Sequence, residues 1–179
     1  MKKRNVWKHA ALNSAVIFIG LVFYTFLLNW MVIHIDWTWL QQAEAYSVFA
    51  AQGSMGIAAT YNPAEVAIAY ASPRFSMQII ALCTGISELL FFAFLVLLFM
   101  GPRWKTKAKG LAIFLPVIFV INLLRLLLIY PMALWLGVQG MWDVHWFIWK
   151  YGMFAALMAL FTLWYWLWAR KDLQETMKP

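Results

Sequence analysis

Four apolar runs dominate this sequence, at residues 10–33, 78–100, 110–131 and 146–168. Each is close to the roughly 20 residues that a helix rising about 1.5 Å per residue needs to cross a hydrocarbon core of about 30 Å. With their connections they nearly exhaust the 179 residues, of which 65% are hydrophobic and 12% charged. An aqueous domain has about 45–50% apolar and about 25% charged residues, and no soluble fold of this size could cover the excess. The expected fold class is therefore an all-α integral membrane protein with one polytopic domain over 1–179. It should be a four-transmembrane-helix bundle with an outer loop, about 34–77, containing short interfacial helices.

The formal net charge of +7 could suggest nucleic acid, but the basic residues sit in short clusters beside apolar runs, as topology signals do. Lys2, Lys3, Arg4 and Lys8 precede the first run, and Arg103, Lys105, Lys107 and Lys109 fill the turn between the second and third. Arg170, Lys171 and Lys178 follow the last, whereas residues 34–77 and 132–145 hold Arg74 alone. An even number of spans with both termini cytoplasmic satisfies this distribution. Trp30, Trp37, Trp39, Trp104, Trp142 and Trp168 fit the same frame as interfacial aromatics. The start, Met1-Lys2-Lys3-Arg4 before an apolar run, resembles a signal peptide, but the run is too long and lacks a clear cleavage site. It reads as a retained first helix.

Within the outer loop, residues 35–50 mix tryptophans with Asp36, Gln41, Gln42 and Glu44 in a pattern suited to a helix lying at the membrane surface. Asn62-Pro63-Ala64-Glu65 reads as a helix start, with a cap, a proline at the first position and an acid at the third. That short helix should run to about Tyr70 and stop at Ser72-Pro73.

Ionisable groups inside a span carry a cost, about 2.5–3.5 kcal/mol for arginine at a helix centre on insertion scales, so each needs a reason. Arg125 falls in the outer half of the third run, six residues before Pro131. Cys83 lies near the outer end of the second, followed by Thr84, Gly85, Ser87 and Glu88, and His145 stands where the fourth begins. A thiol, a guanidinium and an imidazole thus arrive at similar depth from three segments. Each has a plainer role: an inert buried thiol, an ion pair of Arg125 with Glu88, an interfacial histidine. Together they permit nucleophilic chemistry, with His145 taking the thiol proton and Arg125 holding a thiolate or oxyanion. The single cysteine, Cys83, excludes an internal disulfide and a cysteine-based metal site, and no cofactor is implied.

Ala81-Leu82-Cys83-Thr84-Gly85-Ile86-Ser87, Asn122-Leu123-Leu124-Arg125 and His145 resemble the exosortase/archaeosortase family of prokaryotic membrane cysteine transpeptidases. The resemblance covers roughly residues 79–155. Where many members have glycine four residues after the histidine, this chain has Trp149. The resemblance implies catalytic roles for Cys83, Arg125 and His145, with Thr84, Gly85, Ser87, Glu88 and Asn122 in support. It also implies a prokaryotic plasma-membrane enzyme whose active site faces outside. Its substrate would be a secreted protein with a C-terminal motif, a transmembrane helix and a basic tail, and its acceptor water or a lipid amine. No nucleic acid is expected as a partner. Two other readings stand beside it. One is an aspartic protease of the signal-peptidase kind using Asp36 and Asp143, and the other is a non-catalytic membrane subunit or small carrier.

Overall fold

In the computed structural model, which describes residues 2–176 and the side chains of 12–175, helix α1 (Lys2–His34) leads into α2 (Thr38–Ser54) through a tight corner. Trp37 fills this corner, buried, with its indole N–H donated to the Met31 carbonyl at 3.0 Å. Three antiparallel strands follow in order: β1 (Ala59–Asn62), β2 (Ala67–Ala71) and β3 (Arg74–Gln78). A 3-10 turn (Ala81–Thr84) and Gly85 connect β3 to α3 (Ile86–Leu98). Helix α4 (Trp104–Leu127) and α5 (Ile129–Phe147) come next. The chain then stays helical through a π turn at Ile148–Gly152, α6 (Met153–Trp164), a second π turn at Tyr165–Ala169, and α7 (Arg170–Thr176).

The sheet corrects the all-helical expectation for the outer loop. Asn62 does not cap a helix; its Oδ1 accepts the Ala64 N–H at 3.1 Å and closes the turn from β1 to β2. Ser72-Pro73 makes the two-residue link from β2 to β3, where Ala71 pairs with Arg74. Strand geometry wins because large side chains recur with period two and meet across the pair, Ile68 opposite Met77 and Tyr70 opposite Phe75. Tyr70 also stacks on Tyr130 with centroids 5.0 Å apart and donates to Gln52 Oε1 at 2.6 Å. Burial pushes its hydroxyl up to about 12, which keeps it a donor. Helix α2 is likewise no free surface helix. Glu44, Ala45, Val48 and Gln52 form a buried stripe at helical spacing.

Three helical stretches are long and apolar enough to cross a membrane: Leu12–His34, Trp104–Leu127 and Ile129–Glu175. The first is only 6% buried over its most apolar window, an exposure that suits lipid and not water. At the place of the expected second span stands the shorter apolar helix Ile86–Leu98, because the residues before it are taken by β3 and the 3-10 turn. The last two expected spans are also redrawn. Pro131 has no N–H to offer the helix, and α4 passes into α5 at Leu128 with its backbone still in the right-handed helical region. Gly137, at φ 72° and ψ 168°, breaks the helical backbone and kinks the chain. His145 therefore lies about two turns inside the final helical stretch and does not open it.

One end of the bundle gathers the start of α1, the turn after α3 and the end of the chain. Asn13 Oδ1 accepts the Met100 N–H at 2.8 Å, Asp172 accepts the Arg103 N–H at 2.9 Å, and Arg103 pairs with Glu175 at 2.8 Å. The basic residues before Leu12 and Lys178 lie outside the described side chains. Between the ends, a cluster around Phe92, Phe114, Leu157 and Trp164 ties α3, α4 and α6 together. At the opposite end the sheet, α2 and residues 126–141 share a second core.

Candidate active site

The 3-10 turn and the left-handed residue behind it put Cys83 where a continuous helix would not. Cys83 N–H bonds to Ile80 O at 2.8 Å, and Gly85 adopts φ 71° before α3 begins. A side chain there would meet strain and Asn122 as well, whose Cγ lies 3.0 Å from an added Cβ. Because the segment is not α-helical, the Cys83 carbonyl is left without a helical partner. Helix α4 supplies two: Asn122 Nδ2 at 2.8 Å and Arg125 Nη2 at 3.3 Å, three residues apart and hence on one face. Thr84, fully buried, turns its hydroxyl back to Ala81 O at 2.7 Å and stabilises the turn.

Cys83, Arg125 and His145 line one cavity of about 110 Å³, together with Ile80, Leu82 and Trp149. Three segments distant in sequence therefore meet at one small space, with the thiol half-buried and Arg125 buried. Two of the cavity residues carry unused polar atoms. Arg125 Nε and His145 Nδ1 are buried without a hydrogen-bond partner. Such atoms cost free energy at rest and are available to a substrate group that enters.

Glu88 is not the ion-pair partner of Arg125. No salt bridge joins the two, and Glu88 instead accepts from the Ser87 hydroxyl and from Trp149 Nε1 at 3.2 Å. Ser87 belongs to the same arrangement through its carbonyl, which accepts the Tyr24 hydroxyl at 2.8 Å. Trp149 thus forms a wall of the cysteine cavity and of a second one of about 230 Å³ that Tyr24, Glu88 and Phe154 also line. It stands on the π turn that follows His145, and π turns inside helices occur frequently at functional sites. From the sequence Trp149 was only a departure from a pattern.

A family model for transmembrane exosortases matches residues 4–165. The chain belongs to the transmembrane exosortase family. No curated protein and no solved structure matches it significantly. At family level, membership implies a membrane-bound transpeptidase or sorting protease. In this exosortase the matched region takes in α1 and the sheet as well as the stretch around the cysteine.

A residue that sequence reasoning placed on a surface helix also belongs to the cluster. Glu44 of α2 is 1% exposed, and its Oε1 accepts from the same Asn122 Nδ2 at 3.2 Å that holds the Cys83 carbonyl. Burial pushes its carboxyl up to about 7, against the opposing pull of Asn122 and Arg125. The possible aspartate pair finds no such setting. Asp36 is exposed, and its hydrogen bonds from Thr38 hold it below the usual carboxylate range, the reverse of what a proton-sharing dyad needs. Asp143 is exposed and accepts from Gln139 at 3.2 Å, and neither aspartate lines the cysteine cavity.

Proposed function

We propose that this exosortase is a cysteine peptidase and transpeptidase in which Cys83 is the nucleophile, His145 the base and then the acid, and Arg125 the holder of developing negative charge. The observation that carries the reading is their convergence on one cavity of about 110 Å³. His145 removes the thiol proton, and the Cys83 sulfur attacks the carbonyl carbon of the scissile amide, forming the S–C bond. The displaced π pair becomes an oxyanion, which the planar, permanently charged guanidinium of Arg125 stabilises. As the C–O bond re-forms, the C–N bond breaks and the amine leaves with the proton from His145, giving a thioester. An acceptor amine or water then attacks the thioester, His145 takes its proton, and the thiolate leaves.

The substrate in this reading is a secreted protein whose C-terminal tail has a recognition motif, a transmembrane helix and a basic cluster. Cleavage takes place at the outer face of a prokaryotic plasma membrane, with both termini of the enzyme in the cytoplasm. The clustering of basic residues at 101–110 and in the two tails supports that orientation. The test is co-expression with such a substrate. Cys83→Ala and Cys83→Ser should abolish processing while the enzyme accumulates in the membrane, since little packing volume is lost. Arg125 and His145 variants that slow the second step should accumulate a hydroxylamine-labile adduct on the wild-type cysteine. Unchanged processing by Cys83→Ala would sink the proposal.

A further inference from the structure

The outer helix α2 reaches the cysteine segment through one side chain. Glu44, Asn122, the Cys83 carbonyl and Arg125 form a continuous buried chain drawn from α2, α4 and the 3-10 turn. Asn122 is 0% exposed and its amide nitrogen bridges the carboxyl of Glu44 and the carbonyl of Cys83. We propose that Glu44 is a positioning residue: through Asn122 it locks the backbone of Cys83, and α2 thereby braces the cysteine segment from behind and is not a mere connector. This rests on the reading of Cys83 as the nucleophile.

Two features support the clamp. The 3-10 turn holds the Cys83 N–H but gives its carbonyl no backbone partner, so the direction of that carbonyl is set by these outside donors. The second oxygen of Glu44 and Oδ1 of Asn122 are buried with no partner, so a charged carboxylate here would leave a bare anionic oxygen in an apolar wall. The neutral acid avoids that cost, and it leaves the charge of Arg125 for the substrate. The charged or titratable groups that act on Glu44 are Arg125 from α4, Glu88 from α3 and Cys83 from the turn. On the sheet side, Tyr61 stacks on Phe49 and Tyr70 bonds Gln52, farther along α2. Ionised Glu44 would set a negative charge beside a forming thiolate and compete for Arg125.

Because Cys83 is the sole cysteine, its alkylation by a small neutral reagent reads the site without any substrate. Processing and alkylation are to be measured between pH 5.5 and 8.5 in membranes containing wild type, Glu44→Gln and Glu44→Ala. At pH 6, Glu44→Ala should process about tenfold more slowly, the scale of one lost buried hydrogen bond, and its freed thiol should alkylate several-fold faster. Glu44→Gln keeps an acceptor for Asn122 and should retain both behaviours. As pH rises through about 7, the wild type should fall behind Glu44→Gln in both measurements, because only the wild type gains the charge. A Glu44→Ala indistinguishable from wild type, or a wild-type to Glu44→Gln ratio flat with pH, overturns the clamp and leaves the transpeptidase reading standing. If Cys83→Ala still processes substrate, that reading falls, and the alkylation measurements decide the clamp by themselves. Should Glu44→Ala not accumulate, the Glu44→Gln ratio remains decisive.

Discussion

Arg125 is the residue on which a structural and a chemical role divide most clearly. It has no carboxylate within ion-pair distance, its Nη2 holds the Cys83 carbonyl, and its Nε is unused. Lysine preserves the charge but not the planar fork. Arg125→Lys should therefore accumulate normally yet process substrate at least about a hundredfold more slowly, the scale of one lost oxyanion donor. Glu88→Gln should be far milder, since an amide still offers Trp149 an oxygen at the same place. A lysine variant with wild-type processing would return Arg125 to a structural role. Glu44 makes a separate prediction about stability. Its carboxyl sits near 7 in the fold against an ordinary 4.5, so the folded chain holds a proton that the unfolded chain has released between those values. Stability at this site is full below about 4.5, falls as pH rises towards 7, and is level above it. The unfolding midpoint of wild type in detergent should decline relative to Glu44→Gln between pH 5 and 7.5. A gap that stays constant, or that closes with rising pH, refutes this.

At the scale of elements, the interruption before α3 is what separates this chain from a plain bundle. Four further residues of α-helix in place of the 3-10 turn would turn the cysteine away and satisfy its carbonyl internally. Gly85 enforces the interruption. Gly85→Ala should cost about 1–2 kcal/mol from the left-handed backbone alone, and the contact with Asn122 should displace the clamp. The expected outcome is loss of processing with Cys83 alkylation accelerated at least about fivefold, in a protein that still inserts. Unchanged alkylation would mean that the turn does not depend on this glycine. The π turn after His145 has a comparable part, since it sets the phase at which Trp149 meets Glu88. Trp149→Phe keeps the ring but removes the donor. It should lower stability by about 1–3 kcal/mol, the cost of stranding a buried acceptor, measured as the shift in thermal midpoint.

For the whole molecule, the two ends of the bundle differ in kind. One gathers Asn13, Met100, Arg103 and Asp172, and at the other the sheet and α2 share a core against which Cys83 packs. With Cys83→Ser as the blank, single introduced cysteines at 101–110 should be labelled only from the cytoplasm and those at 34–77 only from outside. A cytoplasmic 34–77 segment would remove the outer-face reading. Apolar runs and basic clusters already determined membrane residence, because the hydrophobic driving force depends on composition averaged over about 20 residues and tolerates errors of several positions. The convergence of Cys83, Arg125 and His145 on one cavity was legible too, since polar groups stand out in apolar sequence. What only the tertiary structure decided were pairings that depend on direction. Strands at 59–78 arose because Ile68 and Tyr70 found Met77 and Phe75 across a turn, whereas Asn62-Pro63-Ala64-Glu65 read locally as a helix start. Glu88 took Ser87 and Trp149 in preference to Arg125, and Glu44 left the surface for the interior. A hydrogen bond is made or lost within about an ångström and a few tens of degrees, and spacing along a chain specifies neither until the segments have packed.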